Sequence, residues 1–195
     1  CTLVVALLLL TCIVPNSFAQ PVILQAADGN ADDFFSSALD IDGDRVIVGS
    51  LGDSDSAHRA GSAYIFKLID GTWVQEQKLA PNDLEARDNF GIEVTIDGEL
   101  AAVASWGRVF LFRNDGSEWN EEAQISDPLQ SGMSRFGLGL DLKDNLLAIG
   151  AADYSDPADS TSSDDSGAVF LYQFDGHDWA LIQVLTANDA TFGTR

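Results

Sequence analysis

One pattern recurs three times along the chain and constrains its fold more than any other feature. Each copy opens with a Phe followed by Ser or Gly, and an aliphatic residue comes six positions later. A second block in each copy starts at a Gly, has an aromatic residue five positions on, and reaches a Trp after seven more. Spacings that hold three times indicate tandem copies of one structural unit. The copies begin at Phe35, Phe90 and Phe136.

The residues within each copy follow the pattern of β-strands. Residues 92–96 alternate Ile and Val with Glu and Thr, and a period of two is expected of a strand that buries one face. Asp-Gly pairs at 42–43 and 70–71 suit tight hairpin turns, because Gly tolerates positive φ. We therefore predict four antiparallel strands in each copy of about 46 to 56 residues, the size of one β-propeller blade.

Length variation between the copies is concentrated between the predicted second and third strands. The intervals from Gly49, Ala104 and Gly150 to the Gly that opens the next block are 12, 3 and 17 residues. Because the remaining spacings within the copies hold, packing constrains the other segments, and the variable loops are expected to project from one face.

Residues 1–19 are predicted to be a signal peptide. An apolar run is followed by Ser17-Phe18-Ala19, which places small residues at the positions that a signal peptidase requires. The run is shorter than the roughly 20 residues that a membrane helix needs. Both cysteines, Cys1 and Cys12, lie in this leader, so the mature chain, 20–195, is expected to have no disulfide and no transmembrane span. We expect it to be secreted or displayed at the cell surface.

The charge of the chain excludes some classes of partner. Asp and Glu outnumber Lys and Arg by 31 to 10, which gives a formal net charge of -21. Such a chain repels phosphate backbones and anionic lipid surfaces, so we expect no nucleic-acid partner. Cations and neutral surfaces are better candidates, and solubility in an extracellular medium explains the same composition.

These residues resemble FG-GAP repeats, the blades of the integrin α-subunit N-terminal β-propeller. The resemblance rests on the Phe-Gly starts, on Val-Gly-Ser and Ile-Gly-Ala at 48–50 and 149–151, and on Gly-Ser-Ala-Tyr-Ile-Phe at 61–66. It covers residues 24–195. The resemblance implies an all-β fold of β-propeller blades, each with four antiparallel strands. It does not imply one function, because propellers host many unrelated activities.

The repeat boundaries predict a partial propeller. The segment 21–25 precedes Phe35 by the interval that separates the predicted fourth strands from Phe90 and Phe136. We therefore interpret 21–25 as a fourth strand that closes a ring by joining the last blade. Three full repeats and the start of a fourth are expected at approximately 35–89, 90–135, 136–191 and 192–195.

The resemblance also raises the question of calcium, which many FG-GAP repeats bind in a short acidic loop. The equivalent stretch here has Asp40, Asp42 and Asp44, and Ca²⁺ takes about 6 to 8 oxygen ligands. The stretch lacks the final Asp of the family loop, and Lys143 occupies a ligand position in the third repeat. Ca²⁺ is thus a candidate cofactor with these three aspartates as candidate ligands, and a plain hairpin turn is the alternative.

The variable loops are a second candidate cation site. Asp53 and Asp55 lie in the first of them, and the third has five aspartates between 153 and 165. Clustered carboxylates repel one another unless a cation neutralises them. A hydrated acidic loop explains the same residues.

No catalytic residues are predicted from the sequence. The nucleophile motif Gly-x-Ser-x-Gly and the zinc motif His-Glu-x-x-His are both absent,. His58 and His177 belong to different loop types and are expected to be exposed. The three repeated Trp residues occupy the same position in each copy, which favours blade packing over sugar stacking. They are Trp73, Trp119 and Trp179.

Three functional hypotheses remain open at this point. The leading hypothesis is a non-catalytic extracellular recognition or adhesion module that binds a protein or glycan ligand, with calcium as a candidate requirement; the sequence does not identify the ligand-binding residues. The alternative is a secreted propeller hydrolase whose catalytic residues lie outside this sequence. A structural surface-layer repeat would instead have many more near-identical units.

Overall fold

The computed structural model describes residues 22–128, 135–154 and 167–186, and within them all regular secondary structure is β. Twelve strands form three four-stranded antiparallel sheets in which neighbours in sequence are neighbours in space. The described residues include no helix that is long and apolar enough to cross a membrane. The predicted all-β fold of four-stranded blades is confirmed.

The strand bounds follow the repeats. The first sheet has β1 (Phe35–Asp42), β2 (Arg45–Ser50), β3 (Ser62–Ile69) and β4 (Thr72–Leu79). The second has β5 (Glu93–Asp97), β6 (Leu100–Ser105), β7 (Arg108–Asn114) and β8 (Trp119–Ser126). The third has β9 (Phe136–Lys143), β10 (Leu146–Ala151), β11 (Ala168–Phe174) and β12 (Trp179–Thr186). The predicted signal peptide, 1–19, and the predicted fourth start, 192–195, lie outside the described residues.

The Phe that opens each repeat packs against an aromatic ring of its own third strand. Phe90 meets Phe110 with ring centroids 5.2 Å apart, nearly perpendicular. Phe35 meets Tyr64 at 5.7 Å, and Phe136 meets Phe170 at 5.5 Å. Edge-to-face pairs of this kind are favourable beyond their buried area. The recurring Phe is therefore explained by packing of the start of each repeat against the third strand of its own sheet.

The sheets stack face to face, and apolar side chains fill the space between neighbouring sheets. One core lies between the first and second sheets and includes Ile47, Ile65 and Phe90. A second core lies between the second and third sheets and includes Leu111 and Phe136. Each sheet pair therefore packs as neighbouring blades do, and the second sheet is covered on both faces.

A third, smaller apolar cluster lies on the face of the first sheet that is turned away from the second. Val48, Tyr64 and Phe66 form it, and Leu24 packs against them. Residues 22–26 have no strand assignment in the structure, although the sequence pattern predicts one over 21–25. Leu24 nonetheless lies where a preceding blade would pack, and ring closure by this segment stays a prediction.

Candidate functional site

The antiparallel topology separates two kinds of connection. Loops between second and third strands, and connectors from one sheet to the next, leave the same end of each sheet, which we call the loop face. The tight turns lie at the opposite end, the turn face. On the loop face the described connections around the first two sheets are residues 51–61, 80–92 and 106–107. Both fully described variable loops, 51–61 and 106–107, therefore lie on the loop face, as the insertion pattern predicts.

The loop of the first sheet is bonded to the connector that enters the second. The Arg87 amide donates to the His58 carbonyl oxygen at 2.9 Å, and the Asn89 amide donates to the Arg59 carbonyl oxygen at 3.1 Å. The Trp106 amide donates to the Asp88 carbonyl oxygen at 3.0 Å. Three loop segments are thereby held together by backbone hydrogen bonds.

Two large aromatic side chains are exposed on this surface. Phe34 is 50% exposed and Trp106 is 48% exposed. The guanidinium of Arg59 lies 5.3 Å from the centroid of the Phe34 ring, and the indole N–H of Trp106 donates to Asn89 Oδ1 at 3.1 Å. We call Phe34, Arg59, Arg87 and Trp106 the aromatic–arginine patch. Side chains of this kind are enriched where proteins bind their partners.

The two arginines of the patch are exposed and form no salt bridge with the described residues. Nearby Arg108, in contrast, pairs with Asp83 at 2.9 Å and with Asp88 at 2.7 Å. The donors of Arg59 and Arg87 are therefore available for carboxylate or sulfate groups of another molecule.

A lysine and three carboxylates form a second cluster on the loop face. Lys78 Nζ lies 2.7 Å from Asp28, 2.8 Å from Asp53 and 2.7 Å from Asp55. Asp53 is only 3% exposed, and its Oδ2 also accepts hydrogen bonds from Ser62 Oγ and from the Tyr64 hydroxyl. The cluster connects the N-terminal segment, the variable loop and the end of β4.

The protonation of this cluster follows from its contacts. Burial alone would raise the pKa of Asp53, but hydrogen bonds from Lys78, the Asp55 amide and Ser62 lower that pKa below its usual value. Burial disfavours the charge of Lys78, yet its carboxylate partners raise its pKa above the usual value. Burial raises the pKa of Tyr64 to about 12. The cluster thus holds a charged Lys78 ammonium against ionised Asp28 and Asp53, and the ammonium offsets part of the negative charge of the loop.

The three candidate calcium ligands lie toward the turn face and point to separate partners. Asp40 Oδ2 accepts hydrogen bonds from the Thr95 hydroxyl and the Ile96 amide, each at 2.9 Å, and Asp42 Oδ2 accepts one from the Gly98 amide. The side chain of Asp44 is largely exposed. In the described ranges no group of three or more His, Cys, Asp or Glu side chains is arranged to hold a metal ion. Calcium binding stays a prediction.

The intersheet bond of Asp42 recurs one repeat later. Asp97 holds the same position in the second sheet, and its Oδ2 accepts a hydrogen bond from the Asp144 amide at 2.7 Å. Lys143, the equivalent residue of the third sheet, forms a salt bridge with Asp97 at 2.5 Å. The acidic turn positions therefore join neighbouring sheets.

The predicted exposure of both histidines is confirmed. His58 lies on the loop face, and His177 lies on the turn face with its side chain 92% exposed. Sequence reasoning missed the roles of Asp28, Lys78 and the aromatic–arginine patch. The only available signal was the position of Arg59 in a variable loop, because the contacts join residues far apart in the chain.

Comparison with known proteins identifies the repeat. A family model described as FG-GAP repeat matches residues 18–66 and 73–117. The second matched segment begins at Trp73 in β4 and runs past the end of β7, so one family unit crosses the junction between two sheets. A search of curated proteins finds no significant match.

Proposed function

Because this chain is an FG-GAP repeat protein, we propose that it is an extracellular β-propeller module that binds a protein or glycan partner through its loop face and catalyses no reaction. The family is often extracellular, and the predicted signal peptide at 1–19 supports export. The loop face combines variable loops with a rigid scaffold, which is where binding residues concentrate in many folds.

The observation that carries this proposal is the aromatic–arginine patch. Phe34 and Trp106 expose apolar rings, and Arg59 and Arg87 present donors that no described carboxylate neutralises. Aromatic rings provide contact area at a low entropic cost, and arginine adds directional hydrogen bonds. The net charge of -21 repels extended anionic surfaces, whereas the unpaired arginines locally favour individual acidic groups of a partner at this patch.

The geometry of the patch also lowers the cost of binding. Its loops are already joined by backbone hydrogen bonds, among them Arg87 to His58 and Trp106 to Asp88. A partner therefore meets segments that need little ordering, and pre-organisation of this kind improves affinity.

The test is a solid-phase screen of the full chain against arrays of extracellular matrix proteins and of glycans, including sulfated and sialylated ones. We expect at least one ligand to bind, and Arg59→Ala and Trp106→Ala each to weaken binding tenfold or more. His177→Ala, an exposed change on the turn face, is the matched control and should leave binding unchanged. Retention of no ligand, or equal loss in all three variants, would contradict the proposal.

The non-catalytic part of the proposal has a separate test. The same full chain is incubated with chromogenic glycosides, esters and phosphate esters. Turnover that survives purification and disappears on substitution of a single acidic residue would favour the hydrolase alternative.

Calcium is retained as a candidate requirement for partner binding, because the net charge of -21 attracts cations,. The array is run in calcium and in EDTA with the wild type and with a variant in which Asp40, Asp42 and Asp44 are changed to Asn. Calcium-dependent binding that the triple variant loses would assign the ion to these residues. Identical binding in calcium and EDTA would remove calcium from the proposal.

A further inference from the structure

The third sheet has an apolar groove on the face that is turned away from the second sheet. The groove has a volume of about 540 Å³. Its lining includes Leu138, Gly150, Gly167, Val169 and Leu185. Val169 is 36% exposed and Leu185 is 42% exposed, so the groove leaves aliphatic side chains in contact with water.

The same positions are buried in the other two sheets. Val169 corresponds in the repeat to Ala63 of the first sheet and to Val109 of the second, and both of those are fully buried. Leu185 corresponds to Leu79 and Ile125, which are also buried. The space beside these positions is therefore occupied in the first and second sheets. In the described part of the third sheet the same space is open.

In the first sheet the occupant is Phe90-Gly91, the start of the next repeat. Phe90 is fully buried and forms a parallel bridge with Gly61. A Cβ atom added to Gly91 would lie 2.3 Å from the Ser62 carbonyl oxygen. The contact is thus close enough to require glycine, and it explains why Gly follows Phe.

In the second sheet the occupant is Phe136-Gly137, again the start of the following repeat. A Cβ atom added to Gly137 would lie 3.0 Å from Ala104 Cβ and 3.3 Å from Val109 Cγ2. Ala104 corresponds to Gly150, which lines the open groove. Both filled positions therefore accept the next Phe-Gly pair along the chain.

We propose that Phe192-Gly193 of this chain occupies the groove of the third sheet as the next Phe-Gly pair. This dipeptide lies outside the described residues, and it is the first Phe-Gly pair after β12. Six residues separate Leu185 from Phe192, and an extended segment of that length spans about 20 Å. Because Leu185 itself lines the groove, this reach is sufficient.

The test follows a 4-fluorophenylalanine placed at position 192 of the full chain by ¹⁹F NMR. We expect its resonance to differ from that of the urea-unfolded chain, and Leu185→Ala to shift it toward the unfolded value. Val184→Ala is the matched control because Val184 lies next to Leu185 on the other face of β12 and is similarly exposed. Val184→Ala should leave the ¹⁹F chemical shift of residue 192 unchanged.

A native resonance at the unfolded value, or equal shifts from Leu185→Ala and Val184→Ala, would overturn the proposal. Far-UV circular dichroism checks that each variant folds, and Val169→Ala replaces Leu185→Ala if the latter does not. The spectrum is also recorded over a hundredfold dilution with parallel sedimentation velocity. A shift that appears only when the chain self-associates would assign the groove to a second copy and would likewise overturn the proposal.

Discussion

A Cβ atom added to Gly49 would lie 2.0 Å from the carbonyl oxygen of Gly91, so the first and second sheets meet backbone to backbone at this point. Gly49 belongs to the Val-Gly-Ser end of β2, and Gly91 belongs to the Phe-Gly start of the next repeat. The two most recognisable sequence features of the repeat are therefore the two sides of one intersheet contact.

Gly49→Ala should destabilise the protein, because the added methyl group forces the first two sheets apart. Overpacking of this kind costs about 1 to 3 kcal/mol, and we expect the upper end because the clash is with backbone. Urea unfolding measures the change. Gly139→Ala is the control, since among the described residues a Cβ atom there would meet nothing closer than 4.0 Å. Equal losses of unfolding free energy for the two substitutions would contradict the backbone contact between Gly49 and Gly91.

Ser36→Gly should stabilise the protein. Ser36 has a φ of 73°, and the equivalent residues in the other sheets, Gly91 and Gly137, have φ values of 88° and 95°. A left-handed conformation costs a residue with a side chain about 1 to 2 kcal/mol, so we expect a gain of about 1 kcal/mol. Ser37→Gly should instead destabilise, because Ser37 Oγ donates to the Gly91 carbonyl oxygen. A lower unfolding midpoint for Ser36→Gly would refute this explanation.

The three repeated Trp residues should differ in their contribution to stability. Trp119 is buried, donates its indole N–H to Glu76 at 3.1 Å and lies 5.6 Å from the Arg45 guanidinium, whereas Trp73 and Trp179 are half-buried. Trp119→Ala should cost about 3 to 5 kcal/mol and the other two clearly less. Similar unfolding free energies for all three alanine variants would show that burial between the sheets does not give Trp119 a larger contribution to stability.

Asp40→Ala should destabilise by about 2 kcal/mol, because it removes two intersheet hydrogen bonds and leaves the Ile96 amide without its acceptor,. Asp44→Ala is the control; its carboxylate is largely exposed, so a change within about 0.5 kcal/mol is expected. Calcium and EDTA buffers separate the two roles of Asp40, because a loss that is equal in both comes from the intersheet hydrogen bonds. A loss confined to calcium-containing buffer would instead identify Asp40 as a calcium ligand.

Acid should weaken the Lys78 cluster. Hydrogen bonds from Lys78 lower the pKa of Asp28, and Lys78 with its neighbours lowers that of Asp53 against the opposing effect of burial. A lowered carboxyl pKa stabilises the fold above the ordinary value of 3.8, and this contribution is lost as pH falls through the folded-state pKa,. We expect the unfolding midpoint in urea to fall between pH 5 and about 2.

Lys78→Met tests the same cluster at neutral pH. Removal of the ammonium leaves Asp28, Asp53 and Asp55 facing one another, and we expect a loss of about 2 kcal/mol at pH 7. The difference from wild type should shrink in acid, as Asp28 and Asp53 become protonated. Lys67→Met is the control, since its nearest carboxylate, Glu76, is 4.0 Å away. A loss that does not depend on pH would show that packing of the Lys78 methylene groups is responsible.

Much of the fold was predictable because its determinants are local. Alternation in residues 92–96 and the Asp-Gly turns specify strands and hairpins within one repeat. The recurring Phe and Gly positions then gave the number of sheets. The segment 21–25 was predicted as a strand from its spacing alone, and the described part of it has no strand assignment.

The sequence by itself determined the three four-stranded sheets, their order and the face that carries the variable loops. Only the tertiary structure decided how individual side chains are used. It bonds Asp40 to the next sheet and gathers Asp28 and Asp53 around Lys78. It also buries Trp119 more than its two counterparts. The physical reason is that burial and pairing depend on the neighbouring sheet, and residues in equivalent repeat positions do not have equivalent neighbours.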